Sequence, residues 1–177
     1  MMAKKRFPKL RSLLIFALAL GCAWAIQQYT FSEEIIRVDG KAVRVIDGDS
    51  FAADEDEFRI YGIDAPEYRQ TCLDENGKPW LCGKVARNAL EQIMRRDDLS
   101  CAVHARDQFG RAVVKCTGQK GTDLGSLLVE RGLAASGHHF DETIYATSER
   151  EAQKAKRGIW RGEFMRPDVW RERNPRN

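Results

Sequence analysis

Residues 43–67 read VRVIDGDSFAADEDEFRIYGIDAPE. Two short apolar stretches, Val43–Ile46 and Ser50–Ala53, flank Asp47-Gly48-Asp49. A third strand candidate, Glu57–Ile63, follows the acidic turn Asp54-Glu55-Asp56. Short strands joined by tight turns suit a small curled sheet better than a long open one. Pro66 biases Ala65 toward an extended backbone and ends the last strand.

Outward from this stretch, the pattern alternates between elements. Gly83–Arg96 switches to helical period, with Val85, Ala86, Ala89, Leu90, Ile93 and Met94 on one face. Leu99–Arg106 and Arg111–Thr117 read as two strands around Asp107-Gln108-Phe109-Gly110. Asp123 is placed to cap a short helix carrying Leu124, Leu127 and Leu128, with Gly132 as its stop. A last helix is expected over Thr147–Arg157, ending at Gly158, with Trp160 docking on the core. The reading is α+β and β-rich: a five-stranded barrel with about three packed helices.

The N-terminus stands apart. Lys4, Lys5, Arg6, Lys9 and Arg11 precede a charge-free run of 14 residues, Leu13 to Ile26. A spanning helix needs roughly 20, so the run reads as the apolar part of an export signal. Ala23-Trp24-Ala25 offers a cleavage site, giving residues 1–25 as signal peptide; a short uncleaved membrane anchor is the alternative. Residues 26–40 read as a polar lead-in, 41–162 as the folded domain and 163–177 as a basic tail. The chain is formally +3, but five basic residues lie within 1–11 and no acid lies within 1–25, so the remainder carries about −2. Attraction to nucleic acid must then be local rather than global.

Four cysteines remain, an even number that suits disulfides in an exported protein. If Arg106 faces Arg111 across the hairpin, Cys101 falls opposite Cys116. Cys72 and Cys82 then close a short loop.

Asp47-Gly48-Asp49 taken alone is a turn, and Arg59 or Arg111 alone is a surface cation. Together, acids Asp49, Asp64 and Glu67 and guanidiniums Arg59 and Arg111 gather near strand ends, where sites form. Two carboxylates and a backbone carbonyl make a hard-oxygen site for Ca²⁺. A third carboxylate can orient or deprotonate a water. Two guanidiniums can grip phosphate and offset charge added at the transition state.

The ordered motifs VIDGDSF, FRIYGIDAPE and RDQFGRAV, with LLVERGLA and EAQKAKRGIW after them, resemble the staphylococcal nuclease (thermonuclease) family over about residues 40–160. The resemblance implies an OB-fold barrel and a Ca²⁺-dependent phosphodiester hydrolase acting on DNA or RNA, leaving a 5′-hydroxyl and a 3′-phosphate. It implies that Asp49, Asp64 and the carbonyl of Ala65 hold the metal, and that Glu67 positions the water. Arg59 and Arg111 would clamp the phosphate, with Asp47 supporting the metal site from behind. The chain departs from the family at the Thr71–Gly83 loop, which looks inserted, and at Ser136–Phe140, where His138 and Phe140 are candidates for contacting the substrate. The expectation is an exported monomer outside the cytoplasm, released or membrane-tethered, with no protein partner implied. The competing reading is an OB-fold nucleic-acid-binding module at the cell envelope that does not turn over.

Overall fold

The computed structural model describes residues 34–137 and 144–175, with 13, 15–22 and 24 near the N-terminus. Residues 1–34 and 35–177 are separate compact units. In the first, residues 15–22 are helical with exposed side chains. No described helix is long and apolar enough to cross a membrane.

The second unit begins with strands β1 (Ile35–Asp39), β2 (Arg44–Asp47), β3 (Ser50–Ala53), β4 (Asp56–Ile60) and β5 (Ile63–Asp64). The short pair β6 (Cys72–Leu73) and β7 (Pro79–Trp80) leads into helix α1 (Cys82–Met94). Strands β8 (Asp98–Arg106) and β9 (Ala112–Thr117) precede α2 (Leu124–Glu130), β10 (Ala135–Ser136) and α3 (Ala146–Lys154). A 3₁₀ turn at Gly158–Arg161 and helix α4 (Pro167–Arg173) complete it.

The main sheet has six strands in the order β1-β8-β9-β4-β3-β2, with β4 and β9 parallel and the other pairs antiparallel. The expected α+β class is found. The sixth strand comes from the stretch read as polar lead-in: Ile35–Asp39 pairs along β8, and only Val38 of it is buried. One inward apolar residue leaves little periodicity to read. The expected strand Glu57–Ile63 is split, because Gly62 at φ +75° turns the chain between β4 and β5.

The alternating strands and the apolar face of α1 share one core. Phe51 and Phe58 stack at 5.2 Å, and Ile60, Leu90, Met94, Val114, Leu124 and Leu128 surround them, all buried. Burial of each such side chain stabilises the fold by about 1.5–3 kcal/mol. Asp123 caps α2, accepting from the Ser126 N–H at 3.1 Å, and Gly132 follows at φ +66°.

Both expected disulfides form, Cys72–Cys82 and Cys101–Cys116. The hairpin register that led to the second is corrected. Arg106 faces Ala112, not Arg111, because five residues rather than four form the loop. A bulge at His104 then shifts β8 by one residue, and Cys101 meets Cys116 after all. Trp160 packs not on the main core but in a second cluster with Cys72, Cys82, Ile159, Trp80 and Phe164. This cluster joins the Thr71–Gly83 loop to the C-terminal segment.

Candidate active site

The turn after β2 carries the first acids. The β2–β3 register shifts between Val45 and Asp47, which swings Asp47-Gly48-Asp49 inward. Gly48 is required there: a Cβ would stand 2.7 Å from the methyls of both Ala65 and Ala86. Asp49 and Asp47 are consequently buried.

Pairing of β3 with β4 places Ser50 opposite Arg59, and so brings Arg59 beside Asp49. Its guanidinium bridges two acids. Nη1 donates to Asp49 Oδ1 at 3.2 Å, and Nη2 donates to Asp64 Oδ1 at 2.8 Å while lying 3.2 Å from Asp49 Oδ2. The short β5 holds Asp64 opposite Ala135 of β10. Beyond it, the Ala65 N–H donates to Asp49 Oδ2 at 2.9 Å.

Electrostatics follow from burial. Desolvation pushes the Asp49 carboxyl up to about 6; the Arg59 charge opposes this, and the neighbouring charges of Asp64 and Glu67 add to it. Asp49 and Asp64 together hold Arg59 above its ordinary value, against the cost of its burial. The cluster is an excess of buried negative charge.

Glu67, also buried, is fixed through its backbone. Its N–H donates to Gln70 Oε1 at 3.2 Å, and its carbonyl accepts from the Gln70 N–H at 2.7 Å. Gly83, at the start of α1, lies against this peptide: a Cβ there would fall 1.7 Å from the Glu67 carbonyl oxygen. Asp47 accepts from the Tyr68 N–H at 3.0 Å, tying the first turn to the same loop.

Arg111 is held within its own hairpin. Its Nε donates to Asp107 Oδ2 at 2.7 Å, and its guanidinium lies over Phe109, 5.6 Å from the ring centre. It precedes by two residues Val113, the partner of Arg59 in the β4–β9 ladder. Its guanidinium contacts are Asp107 and Phe109 rather than the acids around Arg59. His138 and Phe140 lie outside the described residues.

The structure adds a cation that the sequence reading left in a basic tail. Arg171 of α4 reaches Asp64 and Glu67: Nη1 is 3.0 Å from Asp64 Oδ1 and 3.1 Å from Glu67 Oε1, and Nη2 is 3.4 Å from Asp64 Oδ2. Burial opposes its charge, but its bonds to Asp64 and Glu67 hold it above the ordinary arginine value. Gln70 was also missed, and a lone glutamine gives no signal. The helix did leave one: Pro167 at its first turn, Asp168 beside it, and Arg171 and Arg173 at its end.

Buried acids bridged by guanidiniums, at the strand ends of a curled sheet, define a site suited to binding a cation and a phosphate together. Residues 57–162 match the family model described as staphylococcal nuclease homologue, and the chain belongs to that family. Its curled sheet and packed helices are the OB-like fold of that family. The chain is 33% identical over 120 residues to "Succinoglycan biosynthesis protein ExoI" of Rhizobium meliloti, covering 67% of this chain and 63% of that one. It is 32% identical over 138 residues to each of two proteins of Oryza sativa subsp. japonica, "Probable staphylococcal-like nuclease CAN3" and "CAN2", covering 73% of this chain and 32% of each. The chain thus spans just under two thirds of the rhizobial protein and about a third of the rice proteins.

Proposed function

We propose that this protein is an exported, Ca²⁺-dependent nuclease that hydrolyses phosphodiester bonds of DNA or RNA at the Asp49–Arg59–Asp64–Glu67 cluster. The observation that carries the reading is the convergence of Asp49 and Asp64 on one guanidinium nitrogen, with Glu67 alongside them under Arg171.

The residues fit a hard divalent cation. Among the described residues no three His, Cys, Asp or Glu side chains are grouped to hold a metal. The donor set proposed here needs only two carboxylates, Asp49 and Asp64, and the Ala65 carbonyl, with water completing the shell. Asp49 and Asp64 lie buried around a single guanidinium, an arrangement in which a divalent cation would offset the remaining negative charge. Held by those residues, such a cation would supply Lewis-acid chemistry toward the phosphate.

The chain's own residues do the rest. Glu67 orients the attacking water, its backbone fixed by the paired bonds with Gln70 and its carboxylate met by Arg171. Arg59 turns its fork to the phosphate oxygens and stabilises the charge that builds on them. Arg111, in the turn before β9, would leave Asp107 to join Arg59 on the phosphate. Asp47 keeps the Glu67–Tyr68 peptide in register with the turn that carries Asp49. Two disulfides suit an extracytoplasmic setting.

The test is an assay of the full chain with its disulfides intact on single-stranded DNA, duplex DNA and RNA, with Ca²⁺ and with chelator. Chelator-sensitive cleavage leaving 3′-phosphate ends is expected. Binding without cleavage of any of the three would instead establish the non-catalytic module.

A further inference from the structure

We propose that Arg171 is a third guanidinium of the phosphate grip, delivered to the site by α4 from outside the stretch that defines the family; this rests on the nuclease reading above. The matched domain ends at residue 162, and α4 begins at Pro167. Arg171 nevertheless touches two of the three site acids.

Three observations carry the inference. The first is that α4 is held in place by a built platform. The buried Gln70 accepts from the Glu67 N–H and donates Nε2 to the Met165 carbonyl at 2.6 Å, so one side chain links the proposed water-positioning residue to the C-terminal segment. The Leu73 N–H donates to the Glu163 carbonyl at 2.8 Å. Gly162 lies against the carbonyls of Leu73 and Asp74, where a Cβ would stand 2.4 Å from each oxygen. Arg161 lies over Trp80 at 4.0 Å, and Trp80, Trp160 and Phe164 pack on the Cys72–Cys82 disulfide. The Thr71–Gly83 loop and the C-terminal segment are one device, and its product is the placement of Arg171.

The second observation is exposure. The Arg171 side chain is 33% exposed, against 16% for Arg59 and 6% for Asp64. Arg171 therefore stands on the solvent side of the acids, where an arriving strand meets it first.

The third is charge. Without a metal, Arg59 alone leaves Asp49, Asp64 and Glu67 undercompensated, and Arg171 fills in with its fork on Asp64. Once a divalent cation joins Arg59, those three carboxylates are neutralised. The Arg171 charge is then surplus to the protein and matches the single negative charge of a phosphodiester.

The experiment compares wild type, Arg171→Gln and Arg171→Lys as full chains with disulfides intact. It reads kcat and KM on single-stranded DNA with Ca²⁺ and the thermal midpoint. It also reads the affinity of an oligodeoxythymidylate at several salt concentrations, in a Glu67→Gln background that blocks turnover. Arg171→Gln should bind the oligonucleotide at least about tenfold more weakly, and lose about 0.7 from the slope of log affinity on log salt, the share of one phosphate contact on a single strand. Arg171→Lys should recover most of the salt slope but not kcat, since it lacks the fork. Unchanged KM, kcat and salt slope with only a lowered thermal midpoint would make Arg171 a strut and overturn the proposal. Faster cleavage by Arg171→Gln would make it a plug and also overturn it. A wild type that neither binds nor cleaves would instead remove the nuclease reading itself, a distinct result.

Discussion

Asp49 and Asp47 are two residues apart, both buried, and placed in different roles by what meets them. Asp49 faces Arg59 and Asp64, whereas Asp47 accepts a backbone N–H from Tyr68. Nothing in the letters Asp-Gly-Asp separates these roles; the bulge in β2 does. The bridge through Arg59 makes a sharp prediction. Arg59→Lys keeps one charge but cannot hold both acids and a phosphate, so kcat/KM should fall by about 100-fold, measured by steady-state kinetics. Near-normal kinetics would mean that a point charge suffices. Glycine carries equal weight at position 83. Gly83→Ala drives a Cβ into the Glu67 carbonyl, and the helix or the Glu67 loop must shift. A urea melt should show a loss of about 1–3 kcal/mol, accompanied by slower cleavage, since the displaced atoms belong to Glu67. The nearness of Asp49, Asp64 and Glu67 was legible because they sit in two ordered motifs, Asp49 in VIDGDSF and the other two in FRIYGIDAPE. Gln70, Gly83 and Arg171 were not, since each acts through a contact distant in sequence.

Among elements, the β8–β9 hairpin and the Cys72–Cys82 loop show two ways a sequence reading can go. The Cys101–Cys116 pairing was correct although the assumed hairpin register was not, because the His104 bulge offsets the longer loop. Periodicity reports which strands exist, but a bulge leaves no trace in it. At the hairpin tip, burial acts to raise the Asp107 carboxyl, but bonds from Arg111 and from the backbone N–H groups of Phe109 and Arg111 outweigh it and hold it below the ordinary range. A depressed carboxylate stabilises the fold above its unfolded value, and that contribution is lost as pH falls through the folded one. Asp107→Asn should therefore lower the thermal midpoint at pH 7, and the gap to wild type should close below about pH 4. An undiminished gap in acid would mean that the side chain acts through shape alone. The two disulfides should separate in their effects. Replacing Cys72 and Cys82 together by Ser should cost about 2–3 kcal/mol from the released loop and also reduce cleavage well below the melting point, because α4 loses its platform. The same change at Cys101 and Cys116 should affect stability with little change in kcat, which a paired measurement of melting and turnover would check.

For the whole molecule, composition offers no global basic field to attract nucleic acid, so any attraction must be local. Outside its first 25 residues the chain carries about −2, yet the acids at 49, 64 and 67 meet two arginines from separate parts of the chain, Arg59 of β4 and Arg171 of α4. The fold class was readable from strand and turn patterns because those are local. The edge strand β1 and helix α4 were not, because each is held mainly by what it packs against, β8 for one and the loop around Cys72–Cys82 for the other. These elements bring together buried acids shared between guanidiniums, the arrangement proposed to hydrolyse phosphodiesters. The most direct measurement is the rate of single-stranded DNA cleavage by Glu67→Gln against wild type, in Ca²⁺ and in chelator, with melting curves to show that both are folded. A fall of several orders of magnitude is expected for the variant in Ca²⁺, and no cleavage by either protein in chelator. A folded Glu67→Gln that cleaves at the wild-type rate would contradict it.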